Sequence, residues 1–319
     1  AKVVATSAAL AQHVFIGQTG ATASDDPAMA LAFIVPADAP GLKMICRASY
    51  EEAASRGASP FDAPLSSRFD ENDAVMVLDD VLVPWENVLI RRDPARVRSF
   101  FTGTGFLNGF LFHGCVRFAV KLDFVAGLLA RALRCTGGIE HRSNRALLGE
   151  AVGWSHTFWS LAHAMAHNPD AWSGGFVLPE RRAALAYSML APEAWSRVRT
   201  IVQRTVASGL VYLPSSAADF AHPEVAPLLS RYVRGSGGID AQRRVKVMKL
   251  LWDAVGSEFA GRHDLYEQLY AGGWETLRLQ AASEAERSSR LTAMEALADR
   301  CMDDYDLDGW TTPAWAAPR

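Results

Sequence analysis

The 319-residue chain combines 50% hydrophobic with 21% charged residues, which excludes intrinsic disorder and allows a core large enough for more than one domain. Its net charge of −3, from 32 basic and 35 acidic residues, would attract neither nucleic acid nor an anionic membrane. No apolar run reaches the roughly 18 residues that span a bilayer, because Arg117, Lys121 and Asp123 interrupt the most apolar segment. We therefore expect a soluble protein without nucleic-acid or membrane partners.

The cysteines and the first residues give further expectations. Cys46, Cys115, Cys135 and Cys301 form no CxxC pair, and we interpret them as buried thiols of a reducing, cytoplasmic environment. The chain begins at Ala1 with neither an initiator methionine nor a signal-peptide pattern, so we expect it to start inside a domain.

Short apolar runs between turn residues predict β-strands in the first third of the chain. The runs lie at residues 2–15, 28–36 and 42–46, and the glycine-containing loop between the first two, residues 17–27, is typical of a solvated hairpin. A β-branched run over residues 75–83 surrounds an acidic turn, and Pro84 ends its pairing.

Helical periodicity replaces this pattern after residue 106. Apolar residues recur at three- and four-residue steps, which predicts a helix of about 28 residues ended by Gly137. Further helices are predicted at 144–167, from Pro179 to residue 208 with a bend at Pro192, at 241–270, at 274–283 and at 291–303. The long helices predict an antiparallel bundle. We divide the chain into a β-domain at 1–95 and a helical domain at 96–319.

Several familiar signals are missing or weak. The sequence has no GxGxxG, P-loop, GxSxG or zinc-type cysteine spacing. His163 and His167 stand four residues apart, but no nearby carboxylate completes a metal site, and we predict no metal. Ser216 and Asp219 have the spacing of a capping box, which we favour over a phosphate-contacting turn. Arg68 is typical of a surface ion pair, and the glycine-rich turn at 234–238 is a weak phosphate signal.

The strongest constellation covers residues 256–280, GSEFAGRHDLYEQLYAGGWETLRLQ. Glycines there allow close backbone approach to a ring or phosphate, and the amides of a new helix at Trp274–Thr276 face an anion. The segment resembles the Q-x-x-G-G and Y-E-G-T-x-E-I-x-R elements of the acyl-CoA dehydrogenase superfamily. Ala271 stands where the resemblance places the glutamate that removes the α-proton, so different chemistry is implied.

Six longer segments resemble one family, the oxygenase component of two-component FADH2-dependent monooxygenases of the 4-hydroxyphenylacetate 3-monooxygenase type. They are FDAPLSSRFDENDA, VLVPWENVL, HGCVRFAVKLDF, VASGLVYLPSSAADF, RYVRGSGG and GSEFAGRHDLYE. The resemblance implies an α+β, acyl-CoA dehydrogenase-like fold. An antiparallel β-domain, a partial barrel, would precede a C-terminal four-helix bundle, and no segment corresponds to the family's N-terminal helical domain.

The same resemblance implies an activity. Members receive reduced FAD from a separate NAD(P)H:flavin reductase, form a C4a-hydroperoxyflavin and add one oxygen atom ortho to a phenolic hydroxyl. Substrates would be 4-hydroxyphenylacetate-like phenols, halophenols or tyrosyl groups tethered to a carrier protein, and members are usually homotetramers. The alternatives are an acyl-CoA dehydrogenase- or oxidase-like flavoenzyme, and a non-catalytic scaffold that retains the fold.

Site residues are implied at two places. The resemblance assigns FAD contacts to Thr6, Gly273, Trp274, Glu275 and Thr276, and substrate contacts to a lid at Gln18, Thr19 and Gly20. The family's catalytic Arg, Tyr and His belong to the N-terminal helical domain, so no catalytic residue is assigned here. We expect the 319 residues alone to be inactive.

Overall fold

The computed structural model describes residues 2–18, 25–56, 59–69 and 72–311. The first part is β-rich and forms two three-stranded antiparallel sheets, with strand orders β1-β5-β4 and β2-β3-β6. The strands are β1 (Lys2–Thr6), β2 (His13–Ile16), β3 (Leu31–Pro36), β4 (Leu42–Cys46), β5 (Asp73–Leu78) and β6 (Val88–Arg91), with helix α1 (Tyr50–Ser55) between β4 and β5.

Two strand predictions need correction. Residues 2–15 form two strands, since Ser7 adopts a left-handed φ of 61° and a short 3-10 turn at Ala8–Leu10 redirects the chain into the second sheet. Residues 81–83 are not a strand, because the chain crosses there from β5 in one sheet to β6 in the other and has no partner. The predicted strand at 28–36 begins only at Leu31, and that at 42–46 is confirmed.

The rest of the described chain is mainly helical. The helices are α2 (Pro94–Gly103), α3 (Phe106–Thr136), α4 (Arg142–His167), α5 (Arg181–Val206), α6 (Val225–Tyr232), α7 (Ala241–Val255), α8 (Glu258–Leu269), α9 (Trp274–Arg287) and α10 (Arg290–Met302). Two short hairpins add β7 (Asp170–Ala171) with β8 (Val177–Leu178), and β9 (Tyr305–Asp306) with β10 (Gly309–Trp310).

The main hydrophobic core lies among α3, α4, α5 and α7. Phe118 and Phe158 meet edge to face at 4.7 Å, and both they and Trp195 are 0% exposed. Gly137 ends α3 with φ 74°, as its sequence position predicts. The predicted helical bundle is confirmed, and Pro192 lies inside α5 as expected.

One helix prediction is wrong: residues 241–270 form two helices, α7 and α8. A Cβ at Gly256 would collide with the Trp252 ring, so the glycine lets the chain turn tightly over that ring. Ser257 then starts α8, because its hydroxyl accepts a hydrogen bond from the Ala260 amide at 3.1 Å.

The segment at residues 59–69 fastens the β-rich part to the bundle through buried charges on α7. Asp253, 2% exposed, accepts hydrogen bonds from the amides of Leu65 at 2.7 Å and Ser66 at 2.8 Å. Lys249 donates to Asp62 at 2.6 Å. Buried polar groups are costly to separate from their partners, so these contacts hold the two parts in one relative position.

Three smaller expectations are settled by the structure. Arg68 forms no ion pair with a described residue and lines a cavity beside Phe61, so its assignment to a surface pair is wrong. Cys115 and Cys135 are buried as expected, whereas Cys46 and Cys301 are exposed. Ser216 and Asp219 form the predicted capping box.

The described ranges contain neither a helix of the membrane-spanning type nor a group of side chains suited to a metal ion. None of the helices there has both the length and the apolar character needed to cross a membrane. None of the histidine, cysteine and acidic side chains there form a group of three suited to a metal ion, and His163 and His167 lie ring to ring at 6.1 Å.

Candidate functional site

Gln18 is the described member of the predicted substrate loop, since Thr19 and Gly20 lie outside the described residues. Its Nε2 donates to the carbonyl of Met29 at 2.7 Å, which fixes the amide plane. Its Oε1 is buried and has no hydrogen-bond partner among the described residues. A buried acceptor without a partner costs free energy unless a ligand or water donates to it, so Gln18 presents a ready acceptor.

Thr6, at the end of β1, is held by an ion-pair network that reaches α8. Its hydroxyl donates to Asp73 at 2.9 Å, and Arg262 donates to the same carboxylate at 2.5 and 2.9 Å. The hydrogen bonds from Arg262, aided by that from Thr6, outweigh burial and lower the pKa of Asp73 to about 2. Thr6 is exposed to solvent, and its hydrogen bond to Asp73 fixes its position beside the ionised Asp73–Arg262 pair.

The predicted flavin loop opens α9. Gly272 has φ 121°, a conformation that glycine tolerates, and Gly273 caps the helix without any side-chain hydrogen bond. The amides of the first turn are therefore open to an acceptor at the positive end of the helix. Trp274 is 45% exposed and lines a cavity of about 190 Å³ against Met189 and Pro192 of α5.

A continuous series of aromatic contacts connects the two predicted regions. Phe15, three residues before Gln18, stacks on Phe100 at 5.4 Å, and Phe110 stacks on Tyr270 at 4.6 Å. The rings between them are also in contact, in the order Phe100, Phe101, Phe106 and Phe110, at 5.1 to 5.6 Å. These stacked and edge-to-face rings form an apolar wall that runs from the strand before the substrate loop to the start of the flavin loop.

An ion cluster around the buried Glu267 connects the end of α8 to α3. Arg117 makes two hydrogen bonds of 2.7 Å to Glu267, and Lys121 adds a third at 2.8 Å. Burial opposes ionisation of Glu267, but the two cations prevail and lower its pKa. The Arg117 guanidinium also lies 4.8 and 5.3 Å from the ring centres of Tyr266 and Tyr270. The cluster thus fixes the residues immediately before the flavin loop.

His263 lies on the same helix, α8, and is kept uncharged. Burial, reinforced by the charges of Lys121 and Arg262, lowers its pKa to about 4. Its Nε2 is buried and makes no hydrogen bond within the described chain. The imidazole is therefore neutral at physiological pH.

The structure connects some predicted site residues and separates others. The aromatic wall runs between the Gln18 and Trp274 regions. Thr6 and Trp274 have different neighbours: Thr6 is connected through Asp73 to α8, whereas the Trp274 ring faces α5. Sequence reasoning missed the Arg117–Glu267 pair. A signal existed, because two cations four residues apart in the most apolar helix of the chain must either pair or leave the core.

Comparison with solved structures defines the class of protein. The fold superposes with a TM-score of 0.84 on a crystal structure of the oxygenase component of 4-hydroxyphenylacetate 3-monooxygenase complexed with FAD and 4-hydroxyphenylacetate. That match has 27% sequence identity and covers 94% of this chain and 62% of the other. The expected α+β fold, a β-rich part followed by a helical bundle, is confirmed.

Sequence comparison then gives the family. Residues 97–299 match the family 4-hydroxyphenylacetate 3-hydroxylase C terminal, and residues 1–90 match 4-hydroxyphenylacetate 3-hydroxylase N terminal. The chain therefore belongs to the 4-hydroxyphenylacetate 3-hydroxylase family.

Two curated relatives show the range of the family. The 4-hydroxyphenylacetate 3-monooxygenase oxygenase component of Pseudomonas aeruginosa is 50% identical over 98% of this chain. A (3S)-3-amino-3-(3-chloro-4-hydroxyphenyl)propanoyl-peptidyl-carrier protein monooxygenase of Streptomyces globisporus is also 50% identical over 98% of the chain. The matches cover 60% and 59% of these proteins, so the chain spans about 60% of their length.

Proposed function

We propose that this chain is the FAD-binding and substrate-covering part of an aromatic hydroxylase. The intact protein would add one oxygen atom from O2 ortho to the hydroxyl of a phenol. The aromatic wall from Phe15 to Tyr270 is the observation that carries the proposal, because it begins three residues before the buried acceptor at Gln18 and ends four residues before the open helix N-terminus at Trp274. Family membership supports the same activity.

The residues present fit FAD. The uncapped amides at the start of α9 suit an anionic or carbonyl acceptor, and the half-exposed Trp274 ring offers a flat apolar face. Thr6 adds an exposed hydroxyl on a rigid strand end. We assign Thr6, Gly273, Trp274, Glu275 and Thr276 to FAD contact. When bound, reduced FAD would supply the two electrons that activate O2, so that one oxygen atom of O2 goes to the ring and the other leaves as water.

The chain's own contribution is positioning and exclusion of water. Gln18 Oε1 accepts a hydrogen bond from the phenolic hydroxyl and thereby orients the ring, and Thr19 and Gly20 complete the lid. The rings from Phe15 to Tyr270 keep water from the reacting groups. The pair of Arg117 and Glu267 holds the end of α8, so that the loop at Gly272–Gly273 keeps its shape.

We further propose the partners of the intact protein. A separate NAD(P)H:flavin reductase supplies reduced FAD, the substrate is a phenol, free or tethered to a carrier protein, and the assembly is a homotetramer. The carrier-bound substrate named for the Streptomyces globisporus relative supports the wider substrate range. The arginine, tyrosine and histidine that activate the phenol come from outside the 319 residues, and these residues alone do not hydroxylate.

Rapid mixing of the full-length protein and reduced FAD with oxygenated buffer tests the reaction. We expect a long-lived absorbance change distinct from oxidised FAD, and an ortho-hydroxylated product from at least one member of a phenol panel. Reduction of oxidised FAD by acyl-CoA would indicate a dehydrogenase instead. Absence of any flavin binding would indicate a scaffold.

Trp274→Ala tests the assigned FAD contact. Loss of one stacked ring should weaken the binding free energy of reduced FAD by about 1.4 kcal/mol, which raises the dissociation constant about tenfold. Anaerobic titration of reduced FAD measures it. Trp310→Ala is the matched control, because Trp310 is 73% exposed on the β9–β10 hairpin, outside the residues assigned to FAD, and its loss should leave FAD affinity unchanged. Equal effects of the two substitutions would contradict the assignment.

A further inference from the structure

A polar cavity of about 410 Å³ lies at the C-terminal end of α3, where α6 ends and the turn before α7 passes. Three arginines line it, Arg231, Arg234 and Arg244, together with Cys135 and Ser236. Its lining contains no acidic side chain. It lies outside the residues assigned to FAD or the phenol.

The arginines at this cavity lack the partners that arginines have elsewhere in the molecule. Arg117, Arg197 and Arg262 each pair with a carboxylate, whereas none of the three lining arginines has one within 4.0 Å in the described chain. Arg244 makes one hydrogen bond, to the carbonyl of Val233 at 3.2 Å. The guanidinium groups therefore keep most of their donors free.

The positive field extends beyond the lining. Burial raises the pKa of the Cys135 thiol, and the positive charges of Arg244, Arg243 and Arg131 oppose this rise. The nearest carboxylate along the chain, that of Asp240, is engaged by the backbone amide of Arg243 at 2.7 Å and starts α7. Unscreened like charges repel, so an anion in the cavity would relieve that repulsion.

The turn that carries Arg234 is locked against α3. Ser236 donates its amide to the carbonyl of Cys135 at 2.9 Å, and Gly235 donates to Ile239 at 2.8 Å. A Cβ on Gly235 would come within 2.9 Å of the Cys135 carbonyl oxygen, so this close approach requires glycine. The cavity is therefore preformed and needs little ordering to bind a ligand.

We propose that this cavity binds the phosphate group of a small molecule. Guanidinium groups match phosphate oxygens with paired hydrogen bonds, which an isolated ammonium group does not provide. Its volume exceeds that of one phosphate ion and falls in the usual range of small-ligand sites, about 300–1,000 Å³. The ligand is thus a pyrophosphate or a phosphate attached to a larger group, such as a nucleotide.

Isothermal titration of the full chain in phosphate-free buffer at low salt tests the proposal. Pyrophosphate, orthophosphate, ADP and sulfate are the probes. Saturable binding of pyrophosphate or ADP at least tenfold tighter than sulfate supports the site. ADP tighter than pyrophosphate assigns the source to a nucleotide, and equal affinity assigns it to the phosphates alone. No saturable binding, or sulfate as tight as pyrophosphate, overturns the proposal.

Two variants and one control localise the binding. Arg234→Ala should weaken pyrophosphate binding at least fivefold. Since Arg234 is exposed and its side chain makes no hydrogen bond to a described residue, the fold should survive. Arg244→Lys keeps the charge but loses the paired donors, and should also weaken binding. The double variant Arg290→Ala with Arg300→Ala removes exposed charge from α10 as the control. Weakening by the control as large as that by Arg234→Ala overturns the proposal.

Discussion

Glu267 shows how one buried residue organises its surroundings. Its side chain is 1% exposed and satisfied by Arg117 and Lys121, whereas Glu150, which pairs with Arg197 in the same bidentate way, is 36% exposed. The two pairs have similar bond lengths but different surroundings. Water can replace the partner of Glu150, but the Glu267 carboxylate is shielded from water, so the contributions of the two pairs to stability should differ.

Glu267→Gln should lower the unfolding free energy by about 3 kcal/mol, because it leaves two partly buried cations without their shared counter-charge. Urea denaturation followed by circular dichroism measures the change. Glu150→Gln is the matched control and should change the unfolding free energy little. A small effect at Glu267 would mean that water enters the cluster.

Stability should also fall in acid through two residues. The folded-state pKa of His263 is about 4 against an ordinary 6.5, so the unfolded chain binds more protons between these values and unfolding becomes easier as the pH falls through them. Asp73, with a folded-state pKa of about 2, adds a further loss between its ordinary 3.8 and 2. Urea midpoints at several pH values test this, and His263→Gln should flatten the upper part of the curve.

At the scale of elements, the break between α7 and α8 sets the direction of the helix that carries the cluster. The break depends on Gly256 lying over the Trp252 ring and on Ser257 capping the next helix. A continuous helix over residues 241–270 would carry Arg262 and Glu267 along the axis of α7. The turn instead brings Arg262 to Asp73 and Glu267 to Arg117.

Gly256→Ala should destabilise the fold by about 2 kcal/mol, because the added methyl group has no space beside the indole. Gly261→Ala is the control within α8: a Cβ there meets nothing within 4 Å. It should raise stability by about 0.5 kcal/mol through helix propensity. Thermal melts of both variants, compared with the parent chain, distinguish the two effects. Equal effects of both substitutions would contradict the role of Gly256.

For the whole molecule, the relative position of the β-rich part and the bundle rests on a few buried contacts. The segment at residues 59–69 crosses between them and is held by Asp253 and Lys249, one helical turn apart on α7. Thr6 and Gln18 lie in the β-rich part, and Trp274 lies in the helical part. Any loosening at residues 59–69 would therefore change the distance between the predicted substrate and flavin contacts.

Asp253→Ala should release this segment selectively. Hydrogen exchange by mass spectrometry should show faster exchange at the amides of Leu65 and Ser66, while α3 and α4 keep their protection. Glu86→Ala, at an exposed 3-10 turn of the β-rich part, is the control and should leave exchange unchanged. Faster exchange throughout the molecule would show that Asp253 supports global stability instead.

The sequence by itself determined the elements whose signals are local. The helix at Phe106–Thr136 and its glycine end follow from periodicity and capping chemistry, as does the capping box at Ser216. The change from strand to helix periodicity after residue 106 is also visible in the pattern, although the domain boundary at residue 95 stays a prediction. The flavin and substrate contacts likewise remain predictions from the family resemblance.

Only the tertiary structure decided the features that depend on distant partners. It split the first predicted strand between two sheets and broke the helix at Gly256. It also left Arg68 without an ion pair to any described residue and joined Arg117 to Glu267, 150 residues away. Local patterns report which face of an element is apolar, but not which charges meet across the core. That choice depends on the packing of whole elements, because burial stabilises an ion pair only where both partners lose water together.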